Sequence, residues 1–475
     1  MTNPIFLFDN SYARLPEYFY SRINPQKVKQ PELIHLNESL AADLNLPIER
    51  LKTDKQVAVF AGNRIPERAE PLAMAYTGHQ FGNFNPQLGD GRAILLGELL
   101  NNKQERFDVQ LKGSGRTPYS RGGDGRAAMG PVLREYIMCE FMHAAGIPTT
   151  RALAAVSTGE NIMREHLLPG AIITRLSRSY VRVGTFQLFA TQQNFQAVRE
   201  LADYVITRNY PEAASAENPY QALLKAVIKR QAELIAQWMQ IGFIHGVMNT
   251  DNASIVGETI DYGPCAFMDD YHADTVYSSI DRQGRYAYRN QPSIAHWNMC
   301  RFAETLIPLL DENTDTGVTI AQDAINTYSD LYQNNWLKGM RKKLGLEESD
   351  ANDETLINDL LGIMPTHQAD FTLTFRGLSD ASLLPDVLSH AEDFRQWQTH
   401  WHQRLETEKQ SEAYRQSLIL AANPIYIPRN HLVEEVIRSA EDHNELKPFN
   451  DLIELLKKPF EKQNTPDKYT QAPPT

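Results

Sequence analysis

The stretch Ile244-His245-Gly246-Val247-Met248-Asn249-Thr250-Asp251-Asn252, followed by Asp261-Tyr262-Gly263, sets two acids and an amide in short polar segments between apolar residues. The oxygens of Asn252 and Asp261 suit a two-point grip on a phosphate-bound divalent metal, and Asp251 adds a carboxylate able to take a proton. Asp-Asn pairs and Asp-Tyr-Gly turns also serve simply as turn formers, so the reading depends on what accompanies them.

Two upstream segments suit a polyphosphate. Gly89-Asp90-Gly91-Arg92 precedes an apolar run; glycines there let backbone amides approach a phosphate, and Arg92 offers a planar cationic fork. An ordinary tight turn fits the same four residues. From Lys112 to Arg134 come five basic residues (Lys112, Arg116, Arg121, Arg126, Arg134) against the single acid Asp124, among the glycines Gly113, Gly115, Gly122, Gly123 and Gly125. This reverses the charge of an otherwise acidic chain. Arg175 and Arg182 could hold a terminal phosphate at the edge of the same cleft or form a surface salt-bridge cluster.

The elements that must position these groups are legible from periodicity. Ala93 to Leu100 and Arg106 to Lys112 read as a hairpin turning at Asn101-Asn102, with Lys112 on the polar face because Phe107, Val109 and Leu111 alternate with Asp108, Gln110 and Lys112. A helix is predicted over Ala127 to Ala145, Pro131 lying in its first turns and Gly146 and Pro148 closing it. Glu135 on that helix is placed to hold Lys112 toward phosphates, with Glu140 as the alternative. Strands are expected at Arg151 to Val156 and Ala171 to Leu176, and helices over Phe186 to Arg208, Tyr220 to Ile241 and Ser293 to Leu310. The remainder to about Leu456 reads as helical, with the acidic stretch Glu347 to Glu354 a solvated cap or loop and Lys457 to Thr475 a mobile tail. Residues 1 to 75 carry aromatic packing residues and a helix-like stretch from Glu38 to Leu44, and Ala75 to Arg92 reads as a loop feeding a strand. Asp269, Asp270, His272 and Asp281 add further acids and a possible metal ligand, although lone acids and histidines in loops are usually solvated.

A glycine turn, a strand lysine, a helix glutamate, an Asp-Asn loop and an Asp-Tyr-Gly follow the order found in kinases. The expected fold is therefore α+β, a protein kinase-like bilobal arrangement. Residues 1–185 form a small sheet-containing N-lobe with its extension, residues 186–475 a larger helical C-lobe, and ATP lies between them. Aligning His245-Gly246 with the His-Gly-Asp opening of small-molecule kinases puts Val247 where the base should stand. A valine accepts no proton, which leaves Asp251 as the carboxylate of this loop able to act as base.

The net charge of -12 argues against a general nucleic-acid or anionic-membrane binder, and 42% hydrophobic content is ample for a large core. Three widely spaced cysteines indicate neither a disulfide framework nor a zinc site, and with no leader or long apolar run in view the expected setting is the cytoplasm.

The sequence closely resembles the selenoprotein O (YdiU) family of kinase-like protein adenylyltransferases over about Tyr76 to Trp297. The resemblance is carried by Tyr76-Thr77-Gly78-His79-Gln80-Phe81-Gly82, Gln87-Leu88-Gly89-Asp90-Gly91-Arg92, Gln110-Leu111-Lys112-Gly113-Ser114-Gly115, Arg121-Gly122-Gly123-Asp124-Gly125-Arg126, Arg182-Val183-Gly184-Thr185-Phe186, His245 to Asn252 and Ile260-Asp261-Tyr262-Gly263-Pro264. It implies that ATP lies flipped relative to kinases, so that AMP passes from ATP to a Ser, Thr or Tyr hydroxyl of a protein and pyrophosphate leaves. Asp251 would be the base, and Asn252 and Asp261 would bind Mg²⁺ or Mn²⁺. Gly89, Gly91, Arg92, Lys112, Asp124, Gly125, Arg175 and Arg182 would line the nucleotide site beside Asp261, with Glu135 the partner of Lys112. UMP transfer from UTP, an ordinary kinase and a nucleotide-binding pseudokinase scaffold are the alternatives. The expected partners are ATP and hydroxyl-bearing proteins, without nucleic acid or membrane, and the chain is expected to be a monomer. Family members commonly carry a C-terminal selenocysteine or cysteine motif; no cysteine follows Cys300, so redox control is not carried over.

Overall fold

The computed structural model describes residues 4–474. Its N-terminal half is built on one large sheet. The strands, in chain order, are β1 (Tyr20–Arg22), β2 (Glu32–Leu36), β3 (Leu72–Met74), β4 (Gly78–Gln80), β5 (Asn83–Asn85), β6 (Ala93–Leu100), β7 (Arg106–Lys112), β8 (Ala127–Ala128), β9 (Arg151–Met163) and β10 (Leu167–Ser177). The sheet runs β1-β3-β6-β7-β10-β9-β2, with β8 on β10, while β4 and β5 form a separate two-stranded hairpin. Both hairpin strands lie in the stretch read from sequence as a loop. The β9 and β10 strands run several residues beyond their sequence-based bounds, antiparallel to one another.

The alternation in β7 has an outcome the pattern alone did not indicate. Phe107, Val109 and Leu111 pack with Leu96 and Leu99 of β6 in one hydrophobic cluster, as expected of an apolar face. The other face does not meet water: Asp108, Gln110 and Lys112 are all buried. Burying polar groups is costly unless each is paired, and each is. Asp108 accepts from Arg208 and from the backbone of Tyr180, Gln110 bridges Asp90 and Arg175, and Lys112 meets two carboxylates. The register sets Gln110 opposite Arg175 on β10, so the inward side of the sheet presents alternating polar groups to one cleft.

The helices α1 (Glu38–Asp43), α2 (Ile48–Leu51) and α3 (Asp54–Phe60) flank the sheet. The helix α4 (Met129–Ala144) starts two residues later than the sequence pattern suggests, because Ala127–Ala128 pair with β10. It ends as foreseen, with Gly146 left-handed (φ 77°) and Ile147 N–H returning to Met142 O. Tyr12, Phe19 and Tyr20 join its main core, in line with the packing role of the N-terminal aromatics.

From Val183 the chain is helical: α5 (Val183–Thr191), α6 (Phe195–Asn209), α7 (Pro219–Gln240), α8 (Gln291–Leu310), α9 (Thr314–Lys343), α10 (Asp353–Thr366), α11 (Phe371–Gly377), α12 (Asp386–Ser389), α13 (Glu392–Glu406), α14 (Glu412–Ala422), α15 (Asn430–His443) and α16 (Lys447–Leu456). The single helix expected over Phe186 to Arg208 is two, because Gln193 is left-handed and the Asn194 side chain caps α6 by accepting from Ala197 N. Between α7 and α8 a short strand pair, β11 (Phe243–Ile244) with β12 (Ala266–Phe267), brackets the Asp-Asn loop and Asp261.

Two sequence expectations are corrected here. The acidic stretch is not wholly solvated: Asp353 is buried in an ion pair with Arg404 at 2.8 Å. The tail read as mobile folds back, Pro459 O accepting from Ile425 N and Gln463 N–H donating to Tyr426 Oη. Among the described residues, no helix is long and apolar enough to cross a membrane.

Candidate active site

The cleft between the sheet and the helical region has a volume of about 750 Å³. Its floor is an ionic network drawn from five separate places in the fold. Lys112, at the end of β7, donates to Glu135 of α4 at 2.7 Å and to Asp261 Oδ1 at 2.8 Å. Arg175, on β10, reaches Glu135 and Asp261 Oδ1, each at 2.7 Å. Arg182, the N-cap of α5, reaches Asp261 Oδ2 at 3.2 Å and the carbonyl of Asp251 at 2.8 Å, and its guanidinium lies 4.4 Å from the centre of the Tyr76 ring. Burial opposes ionisation of Asp261, but Arg175, Lys112 and Arg182 together outweigh it and hold the carboxyl well below the usual carboxylate range. Glu135 is likewise held low, against burial, by Lys112 and Arg175. Three cations thus contact two carboxylates directly, and the buried Asp90 carboxyl lies within electrostatic reach of Arg175 and Arg182.

The choice between Glu135 and Glu140 is resolved by which face of α4 each occupies. Glu140 is spent on Arg151, Asn37 and the backbone of Ala152, away from Lys112.

Around the mouth stand Arg92, Arg116 and Arg121, all lining the cleft and none with a carboxylate partner among the described residues. Gly89 and Gly91 also line it. Gly125 turns back on the same loop with φ 67°, where a Cβ would lie 2.1 Å from Gly115 O, so only glycine fits. Asp124 lies at the rim and ties this loop together, accepting from Arg126 N and pairing with Arg164 at 2.8 Å. Two arginines of the basic run are diverted: Arg126 donates to the backbone of Gln26 and Lys27, and Arg134 pairs with Glu434 outside the cleft.

The Asp-Asn loop faces the network across the cleft. His245 is buried, stacks on Trp238, accepts from Val247 N at its Nδ1 and so donates from Nε2 to Ile260 O; burial keeps it neutral. Asn252 turns its amide N–H₂ to Val247 O at 2.9 Å, which leaves its carbonyl oxygen to serve as a donor to a metal. Asp261, left-handed at φ 59°, supplies a carboxylate on the same wall. This hard-oxygen pair suits Mg²⁺ or Mn²⁺ held partly by substrate phosphates, which typically needs only one or two protein carboxylates. Asp251 is buried, and burial pushes its carboxyl up to about 6 in spite of a hydrogen bond from Gln80 and the attraction of Arg182.

The catalytic, metal-binding and nucleotide-lining residues expected from the sequence all lie at this cleft, and of the basic run Arg134 falls outside it. Sequence reasoning missed Tyr76, Gln80, Asp90 and Gln110. Gln110 was recoverable, since it shares the β7 face with Lys112; the others lie in the stretch read as a loop. Of the remaining acids, Asp269 pairs with Arg429 and Asp281 caps the backbone of Arg285 and Tyr286.

A cationic cleft that ends in an oxygen-donor pair and a buried carboxylate equips an α+β enzyme to hold a polyphosphate and transfer part of it. The chain belongs to the family described as protein adenylyltransferase SelO, whose model matches residues 6–457. It is 54% identical to the protein nucleotidyltransferase YdiU of Rhodopseudomonas palustris (strain HaA2), over 98% of this chain and 96% of that protein. Proteins of the same name in Rhizobium meliloti (strain 1021) and Geobacillus kaustophilus (strain HTA426) are also 54% identical, covering 99% and 98% of this chain and 97% and 96% of theirs.

Proposed function

We propose that this chain is a protein adenylyltransferase, moving AMP from ATP to the hydroxyl of a Ser, Thr or Tyr side chain on a protein and releasing pyrophosphate. The observation that carries the reading is the convergence of Lys112, Arg175 and Arg182 on one wall of a cleft that Asp251 enters from the other, with Val247 where a kinase would need its base. In this reading the two halves form a kinase-like pair of lobes, 1–185 and 186–475, with the nucleotide flipped so that its α-phosphate faces the acceptor. Lys112, Arg175 and Arg182 leave Asp261 for the triphosphate and steady the charge that builds on the departing pyrophosphate. Arg92 and the glycines Gly89, Gly91 and Gly125 hold the outer phosphates, and Asp124 keeps that loop closed. Glu135 keeps Lys112 and Arg175 pointed into the cleft. Asp251 takes the proton from the acceptor hydroxyl. Mg²⁺ or Mn²⁺, held by Asn252 and Asp261, would supply further positive charge to the triphosphate when bound. The protein works as a cytoplasmic monomer in this reading, in keeping with its three free cysteines.

The test gives purified protein, with Mg²⁺ or Mn²⁺ and a cell extract, ATP labelled at either the α- or the γ-phosphate, beside an Asp261→Ala control. Protein label from the α position alone, lost in the control, is the expected result. Label from the γ position would establish a kinase instead, and stronger labelling from α-labelled UTP would make the transferred group UMP.

A further inference from the structure

The two-stranded hairpin β4–β5, which none of the roles above uses, is seated directly on the Asp-Asn loop. Three successive hairpin residues grip three successive loop residues. His79 N–H donates to Thr250 Oγ1 at 2.7 Å, Gln80 Nε2 donates to Asp251 Oδ2 at 3.0 Å, and Phe81 N–H donates to Asn249 Oδ1 at 3.1 Å. The clamp is braced from behind: Thr250 Oγ1 donates to Gln187 Oε1 at 2.6 Å, the Gln187 amide meets His79 Nδ1 at 3.0 Å, and Tyr286 Oη donates to Asn249 at 2.7 Å. Asp251 Oδ1 is shut off from solvent and has no hydrogen-bond partner. It lies under Gly78, where a Cβ would come within 2.8 Å of it. One carboxylate oxygen is therefore sealed beneath a residue that has no room for a side chain, and the other is held by a single side-chain amide. A carboxylate oxygen has two acceptor positions, so Oδ2 can keep Gln80 and still receive a proton.

We infer that Gln80 is a positioning residue for the transfer step: its amide fixes the plane of the Asp251 carboxylate so that Oδ2 meets the acceptor hydroxyl. This rests on Asp251 being the base. In the step so positioned, the acceptor oxygen forms a bond to the α-phosphorus while that phosphorus loses its bond to the α,β-bridging oxygen. The hydroxyl proton goes to Oδ2 of Asp251, and pyrophosphate leaves with the bonding electrons. Without the amide nothing holds the carboxylate against rotation about Cβ–Cγ, and a misplacement of about 1 Å in a reacting group costs on the order of 100-fold in rate.

The test compares Gln80→Met, which keeps the length of the side chain without its donor, with Gln80→Glu, which sets a second carboxylate against the first. Both are measured on the intact protein for AMP transfer from α-labelled ATP, for ATP affinity in the presence of Mn²⁺, and for thermal melting. A fall in kcat of roughly 10- to 100-fold, with the KM for ATP, the ATP affinity and the melting temperature within twofold or a degree or two of the parent, is the expected result. The same Gln80→Met change made on Asp251→Asn should cost nothing further, because a residue that acts through the base has nothing left to position. Unchanged kcat in Gln80→Met overturns the inference, as does a loss that tracks weakened ATP binding and a lowered melting temperature or persists in the Asp251→Asn background. Full activity in Asp251→Asn alone would instead remove the base reading on which the inference stands.

Discussion

Replacing Asp261 with Asn tests the charge balance of the cleft more directly than any assay of turnover. In the protein, Asp261 accepts from Lys112 and Arg175 at one oxygen and from Arg182 at the other, at 2.8, 2.7 and 3.2 Å. The side chains of Arg175 and Arg182 are 3% and 2% exposed, so their charges cannot turn to water when the carboxylate is lost. The variant would leave Lys112 and Arg175 in direct contact with Glu135 alone and Arg182 with no carboxylate in contact, removing one negative charge from the network. Breaking a buried pair by removing one partner typically costs about 3–5 kcal/mol. Because the Asp261 side chain is itself 21% exposed, solvent screening brings the expected loss down to about 2–3 kcal/mol. Inorganic tripolyphosphate without metal should reverse the loss, since it supplies the missing negative charge without having to displace a carboxylate. Melting curves of Asp261→Asn should therefore lie several degrees below the parent in buffer and rise further than the parent on adding tripolyphosphate, with an affinity about tenfold tighter or more. AMP transfer should be lost in both conditions, because in the proposed reading the metal loses its carboxylate. If the variant melts with the parent and metal-free tripolyphosphate stabilises the two equally, then these cations are not held in check by Asp261, and the account of the cleft fails.

Glu258 sits buried behind the link between sheet and helices, accepting from Ser177 Oγ and Arg178 N, and burial pushes its carboxyl from 4.5 up to about 7. The folded chain holds that proton more tightly than the unfolded chain, so the stability it contributes is full below pH 4.5 and is lost as pH rises to about 7. Glu258→Gln should thus exceed the parent by up to about 3 kcal/mol in denaturant melts at pH 8 and match it near pH 4.5; a gap independent of pH would show the group ionises freely. For Asp251, whose carboxyl is pushed up to about 6, kcat/KM for AMP transfer should fall with unit slope as pH drops below that value and level off above it. The acid limb should vanish in the residual activity of Asp251→Asn, and a limb that survives there would belong to another group.

The chain itself determines a good deal of this site. The glycine turn at 89–91, the lysine closing an alternating strand, the glutamate one helix later and the Asp-Asn and Asp-Tyr-Gly segments are local patterns, and each has the local structure its pattern demands. The α4 helix stops at Gly146 because only glycine adopts the left-handed turn there without strain. Sequence could not say whether the polar face of β7 met water. A period of two identifies the residues that share a face, but whether that face is solvated depends on what the rest of the chain lays over it. Here Arg175, Arg208 and Glu135 arrive from elsewhere, and Asp108, Gln110 and Lys112 become interior groups that survive only because each is paired. For the same reason Arg134 and Glu140, as plausible by spacing as their neighbours, are spent outside the cleft, since helical position fixes the face they occupy and packing fixes what that face meets. Gln80 shows the limit most plainly. Its stretch carries turn residues and reads as a loop, yet 171 positions separate it from the carboxylate it holds, and only the folding of β4–β5 onto the Asp-Asn loop brings amide and acid within 3.0 Å.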